Sequence, residues 1–155
     1  MSVEANIEMN IEPMRWWHID EIIPIEADLF GDEMWSAGMF WSELASGHYY
    51  LVVLDAAGAV LGYGGLAAAP PDEAWVQNIA VRRDAQRLGI GRALLDALLA
   101  RARDLGTSAV LLEVAVDNGP AQKLYTSYGF DGVGVRKGYY QPSNTDALVM
   151  RLDFQ

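Results

Sequence analysis

A single carboxylate carries most of the chemistry legible in this chain. Glu113 interrupts an otherwise apolar run, Ala109-Val110-Leu111-Leu112-Glu113-Val114-Ala115-Val116. Such a run reads as a central strand covered on both faces. A carboxylate there is costly unless it is paired or reaches a wet cavity. Partial burial would raise its pKa and make it a better base. It also sits late in its strand, where open α/β sheets place their ligands. A solvent-facing Glu or a structural ion pair would account for it as well. Tyr125 follows twelve residues later, on the first turns of the next expected helix. A strand–turn–helix unit can return that helix beside the strand end, where a phenol could protonate a leaving group. A core tyrosine beside Leu124 and Tyr128 is the plainer alternative.

A second candidate is Gln86-Arg87-Leu88-Gly89-Ile90-Gly91-Arg92-Ala93-Leu94-Leu95, which follows the apolar run Asn78-Ile79-Ala80-Val81 and opens a helix. Glycines at alternate positions let the backbone turn tightly and approach a ligand closely. The free N–H groups of the first helical turn, with the helix dipole, favour an anion there. The stretch therefore reads as a pyrophosphate cradle, with Arg87 and Arg92 adding charge. It is neither the three-glycine dinucleotide fingerprint nor a P-loop, and an ordinary glycine turn would look the same. Asn118 either caps its helix or touches a ligand. Trp35, after a Gly-Asp break, is either a core residue or part of a pocket wall. Tyr139 and Tyr140, in a Gly/Pro-bounded stretch, are not needed for a core and suit a substrate wall or gate. His18 and His48 have no partner at metal-ligand spacing, so no metal is expected.

These residues need elements to position them. Asn6 to Met14 suggests a first strand. Trp16 to Phe30 has a helix-like apolar spread that Pro24 should interrupt, and Gly31-Asp32 ends it. Ser36 can cap a helix over 37–45. Tyr49 to Leu54 and Val60 to Leu66 form a hairpin around Asp55-Ala56-Ala57-Gly58. Ala67 to Asp72 reads as a loop and Ala74 to Val81 as the next strand. From Ile90 to Leu105, Ile90, Leu94, Leu98 and Ala102 make one apolar stripe. Asn118-Gly119-Pro120 starts a last helix that ends at Gly129. Phe130 to Arg136 and Ala147 to Phe154 are the closing strands, with Gly138 to Asn144 as a long aromatic loop between them. The order predicts a mixed α/β domain spanning 1–155, one sheet with helices on both faces.

Composition narrows the function classes. At 155 residues with 52% hydrophobic and 21% charged side chains, a packed core is expected and disorder is not. The absence of cysteine excludes disulfides, thiolate metal sites and a cysteine nucleophile. A formal charge of −10 repels phosphate backbones, so nucleic acid is not an expected partner, whereas a cationic molecule such as the amino terminus of a basic protein is attracted. The same charge could serve solubility alone. The first ten residues lack the pattern of a signal peptide, and no run approaches the ~18 apolar residues of a membrane helix. A cytoplasmic protein without membrane attachment, a monomer or a weak oligomer, is expected.

Together these stretches resemble a known family. Asn78-Ile79-Ala80-Val81 with Gln86 to Leu95 is similar to the acetyl-CoA motif Q/R-x-x-G-x-G/A of the GNAT acetyltransferases. Leu112-Glu113-Val114, Asn118, Ala121, Leu124-Tyr125 and Tyr128-Gly129-Phe130 resemble the second half of that fold. Within the superfamily the chain looks most like the RimI type, the ribosomal-protein alanine N-acetyltransferases. The features are the L-E-V strand with Tyr125 beyond it, Arg136-Lys137-Gly138-Tyr139-Tyr140, and Glu26-Ala27-Asp28-Leu29-Phe30 followed by Trp35-Ser36. Gln141, before Pro142, departs from that type's pattern.

The resemblance implies a single central mixed sheet of about seven strands, flanked by about four helices and splayed between the fourth and fifth strands. It implies acetyl-CoA as co-substrate. The backbone of Ile79, Ala80 and Val81 would pair with the pantetheine. Arg87, Leu88, Gly89, Ile90, Gly91 and Arg92 would hold the pyrophosphate, and Asn118 would contact the cofactor arm. Glu113 would be the general base and Tyr125 the general acid; Trp35, Tyr139 and Tyr140 would face the acceptor. The implied reaction acetylates the amino terminus of a protein, a ribosomal protein beginning with Ala or Ser. An α-amine with a pKa near ~7.7–8 needs only a modest base, and backbone donors near Val81 would hold the oxyanion. Other amine acceptors, lysine or a small molecule, and a non-catalytic acetyl-CoA sensor are the competing readings.

Overall fold

The computed structural model describes residues 9–154. Its centre is a seven-stranded sheet. In chain order the strands are β1 (Met9–Pro13), β2 (Tyr49–Asp55), β3 (Val60–Ala69), β4 (Glu73–Val81), β5 (Ala109–Ala115), β6 (Asp131–Tyr140) and β7 (Thr145–Asp153). Across the sheet they run β1-β2-β3-β4-β5-β7-β6. Every neighbouring pair is antiparallel except β4 and β5. A parallel pair needs a crossover, and α3 (Ile90–Asp104) supplies it.

The alternation of β2 shows why helices are needed on both faces. Leu51 and Val53 point to one side and join the apolar stripe of α3, with Leu94, Leu95, Leu98 and Ala102. Tyr50, Val52 and Leu54 point to the other and meet α1 (Ile19–Phe30) and α2 (Ala37–Ala45) through Ile19, Ile22, Ile25 and Phe40. The fourth helix, α4 (Gly119–Ser127), adds Tyr125 to the α3 side. No helix among the described residues is long and apolar enough to cross a membrane.

Three local expectations need correction. Pro24 does not interrupt α1, which continues to Phe30. The proline ring is exposed, and the burial of Ile22, Ile25 and Glu26 outweighs the loss of one backbone bond. Gly138 to Asn144 is not one long loop. Tyr139 and Tyr140 end β6, with Tyr140 paired to Thr145. Gly138, at φ 60°, takes up a break in register, and its N–H donates to Asp146 Oδ1 at 2.9 Å. A glycine that reads as a stop is here a bulge inside a strand. Ala67 to Ala69 likewise extend β3, paired to Trp75, Ala74 and Glu73. Of the expected first strand, Asn6 to Glu8 lie outside the described residues.

One contact seats α3 against the sheet. A Cβ on Gly62 would lie 2.9 Å from the Ala80 carbonyl and 3.0 Å from Ile90 Cγ2. Only glycine lets the start of α3 lie this close to β3 and β4. Gly62→Ala is therefore expected to cost about 1–3 kcal/mol of stability by overpacking. A chemical-denaturation midpoint indistinguishable from the parent would refute this account.

Candidate active site

The site forms where the sheet stops being continuous. β4 and β5 pair only at Glu73–Ala109, Ala74–Val110 and Trp75–Leu111. Beyond Trp75 the two strands part. A bulge helps: Gly65 faces Asn78 while Leu66 faces Val76, so Gln77 is an extra residue in β4. The gap is a cleft of about 690 Å3. Ile79, Ala80 and Val81 line it from one side; Glu113, Asn118 and Tyr125 line it from the other. Trp35, Tyr139 and Tyr140 close its rim. Elements far apart in sequence thus bring nine of the candidate residues into one space.

Glu113 is both of the things its sequence context allows. Its side chain is 13% exposed, and Oε1 lies 3.4 Å from Arg136 Nη1. Oε2 is buried and accepts no hydrogen bond among the described residues. A buried acceptor without a donor is costly, so this oxygen is suited to an N–H or O–H that enters the cleft. Arg136 lies 5.9 Å from the Trp75 ring centroid and 5.6 Å from that of Tyr139. The Tyr139 and Tyr140 rings meet edge to face at 5.0 Å.

The phenols around this carboxylate are all held in the neutral form. Burial pushes Tyr125 up to about 12. Burial also raises Tyr140, reinforced by Tyr139, Glu113 and Tyr125. Tyr139 is raised by burial first and by the Glu113 carboxylate second. Tyr125 belongs to the core as well, packed on Phe130 with ring centroids 6.0 Å apart. Core packing fixes the ring while the residue also lines the cleft.

The glycine turn lies outside the cleft, just past Val81. Gln86 bridges the two, lining the cleft and donating from Nε2 to the Val81 carbonyl at 3.1 Å. Gly89 is the N-cap of α3 at φ 85°, and no protein atom would crowd a Cβ there. The backbone conformation, not packing, demands glycine. The first turn of α3 contains no acidic side chain, so its N–H groups face outward uncompensated. Arg87, also at positive φ, is exposed. Ile90 and Leu88 turn their side chains to the core, which leaves only their backbone for a ligand. A Cβ on Gly91 would meet Val81 and Leu124 at ordinary van der Waals distance. Arg92 lies over the Tyr128 ring, 5.6 Å from its centroid. Asn118 does cap α4, accepting from Ala121 N at 3.2 Å, while also lining the cleft.

The sequence reading named Glu26 only within a family-like stretch and gave it no role of its own. Glu26 is 1% exposed yet has no cationic partner among the described residues. Its Oε1 accepts from Tyr63 Oη at 2.7 Å and from Asn78 Nδ2 at 2.9 Å. Its Oε2 accepts from the Trp35 backbone N–H at 3.0 Å. This carboxylate ties α1 to β3, to the bulged part of β4 and to the Trp35 wall. Its position on the buried stripe of α1, among Ile22 and Ile25, was the available clue.

Comparison with known proteins agrees with this geometry. The chain matches the family described as acetyltransferase (GNAT) over residues 11–130. It is 44% identical over 133 residues to N-alpha-acetyltransferase RimI of Mycobacterium tuberculosis, covering 83% of this chain and 82% of that one. It is 32% identical over 141 residues to a putative ribosomal protein bS18-alanine N-acetyltransferase of Bacillus subtilis, with 90% and 92% covered. Its fold superposes on the crystal structure of the ribosomal-protein-S18-alanine N-acetyltransferase from Escherichia coli with a TM-score of 0.85 at 28% identity, over 94% of each chain. The expected mixed α/β fold, with its parting of the fourth and fifth strands, is borne out.

Removing the Glu26 carboxylate strands three donors. Glu26→Ala is expected to lower stability by about 3 kcal/mol or more, since each buried unpaired donor costs about 1–3 kcal/mol. Urea unfolding of the variant measures this, and an unchanged midpoint would show that water replaces the carboxylate at no cost.

Proposed function

The chain belongs to the GNAT acetyltransferase family, and from that premise we propose that it acetylates the amino terminus of a protein, with Glu113 as base and Tyr125 as acid. The observation that carries this is the unpartnered Glu113 Oε2, buried at a cleft whose opposite wall is a free strand edge. The names of relatives, an N-alpha-acetyltransferase and a ribosomal-protein alanine N-acetyltransferase, support a ribosomal protein with Ala first as the acceptor, and we extend this to Ser. The charge of −10 favours a basic acceptor of this kind.

Acetyl-CoA, when bound, supplies the acetyl group as a thioester. The residues present suit it. The uncompensated first turn of α3, behind the left-handed Gly89, would hold the pyrophosphate. The edge of Ile79, Ala80 and Val81 that β5 leaves unpaired would take the amide-rich arm as a further strand. Asn118 would contact that arm from the other wall. Glu113 would accept a proton from the incoming ammonium, directly or through one water, freeing the lone pair for attack. Arg136 orients the carboxylate through Oε1 and leaves Oε2 for this task. Tyr125 would give its proton to the departing sulfur, a role that its pKa of about 12 supports, because the phenol stays protonated well above neutrality. Trp35, Tyr139 and Tyr140 would flank the first residues of the acceptor.

Three outcomes test this. Glu113→Gln should lower kcat/KM about 10²-fold or more; an unchanged rate would dismiss the base. Tyr125→Phe should reduce kcat about 10²-fold with KM for acetyl-CoA little changed, and the parent should show no descending limb from this phenol through the mildly alkaline range. In a coenzyme A release assay, short peptides with free Ala or Ser termini should turn over. Turnover confined to blocked peptides carrying lysine, or to small amines, would redirect the substrate assignment. Tight acetyl-CoA binding with no turnover on any amine would make the chain a sensor.

A further inference from the structure

A second cavity, of about 510 Å3, shares no lining residue with the cleft. It lies between the end of α2, the segment after β1 and the start of β2. Trp16 and Trp41 form one wall, stacked with ring centroids 6.1 Å apart and planes 19° from parallel. Trp17 meets Trp16 edge to face at 5.6 Å. These indoles are 59%, 49% and 57% exposed for Trp16, Trp41 and Trp17. None of them is used by either core cluster. Three adjoining exposed tryptophans are the kind of patch that marks an interaction site.

The charge of this site runs against that of the molecule. The chain carries 21 acidic and 11 basic side chains, yet no Asp or Glu among the described residues lines the cavity. Arg15, Arg101 and His48 do. Among the described residues neither arginine makes a salt bridge; Arg101 lies 4.8 Å from the Tyr49 ring centroid. Near its rim, the Glu43 carboxylate is engaged by Tyr50 Oη at 2.8 Å and by His48 Nδ1 at 3.1 Å.

We propose that this cavity docks an acidic segment of a partner protein, whose apolar side chain packs on the Trp16–Trp41 wall while flanking carboxylates meet Arg15 and Arg101. Charge complementarity selects that occupant. A basic partner is drawn to the rest of the surface and repelled here. An acidic one is repelled elsewhere and attracted here, which fixes its orientation as well as its place. A narrow segment fits better than a membrane or a nucleic acid. An extended anionic surface would face the whole charge of −10, whereas a segment meets only the two arginines. The site is distinct from the catalytic cleft, so the inference does not rest on the acetyl-transfer reading.

The test uses the full chain and three peptides blocked at both ends, so that none is an acetyl acceptor: Asp-Glu-Phe-Glu-Asp, Asp-Glu-Ala-Glu-Asp and Lys-Arg-Phe-Arg-Lys. Indole N–H resonances locate binding. The acidic Phe peptide should shift Trp16 and Trp41 but not Trp35 or Trp75, and the other two peptides should bind about tenfold more weakly or not at all. Arg15→Glu with Arg101→Glu, and separately Trp41→Ala, should each weaken binding about tenfold, and added salt should weaken it in the parent only. Acetyl-CoA binding by these variants should match the parent, which reports their folding. The proposal fails if the acidic Phe peptide does not shift the Trp16 and Trp41 resonances or if the basic peptide shifts them as strongly. It fails equally if phosphatidylserine vesicles or a single-stranded oligonucleotide shift the same indoles more strongly. Loss of a dimer in Trp41→Ala, by sedimentation, would make the patch a contact between copies and overturn it too.

Discussion

Two parallel strands that pair over three residues and then separate leave facing backbone edges without partners, and the molecule is built to tolerate this. On its outer side β4 is paired with β3 along its length, and β5 is paired with β7 from Ala109 to Ala115. Each half of the sheet is therefore stable without the other beyond Trp75. What remains is a pair of inner edges that offer N–H and C=O groups to whatever enters. The seating of Ile90 against Gly62, the bulge at Gln77 and the Glu26 latch all act on the half of β4 that forms this edge. The site is an interruption of the fold, maintained by its neighbours.

The two buried carboxylates show how environment separates roles. Glu26 has donors on both oxygens and no cationic partner among the described residues, and it joins helix to sheet. Glu113 has one oxygen beside Arg136 and the other without a donor. A satisfied carboxylate is spent on structure, and a half-satisfied one is available for proton transfer. Placing Tyr125, Tyr139 and Tyr140 nearby supplies neutral phenols rather than further charge beside the Glu113–Arg136 pair. The same separation holds on the surface, where an overall charge of −10 coexists with an arginine-lined aromatic cavity on another face.

Much of this was legible in the linear chain because it is encoded over short distances. The apolar stripe of α3, the Ser36 and Asn118 caps and the uniformly apolar β5 depend on spacings of two to four residues. Glu113 stood out because it broke such a pattern, and the glycine turn because its residue types have few uses. Reading failed where a local cue met a stronger distant partner. Pro24 lies within a helix held by its buried face, and Gly138 lies within a strand held by β7.

By itself, then, the sequence determined most element types, their order, the glycine turn that opens α3 and the presence of one out-of-place carboxylate, since each rests on the preferences of neighbouring residues. Only the tertiary structure decided that β4 and β5 part after Trp75, that Arg136 from a later strand takes one oxygen of Glu113, and that Glu26 reaches Tyr63, Asn78 and the Trp35 backbone. It alone gathered Trp16, Trp41, Arg15 and Arg101 around a second cavity. Those facts are contacts between residues tens of positions apart, and no periodicity encodes which distant edge or side chain will meet which.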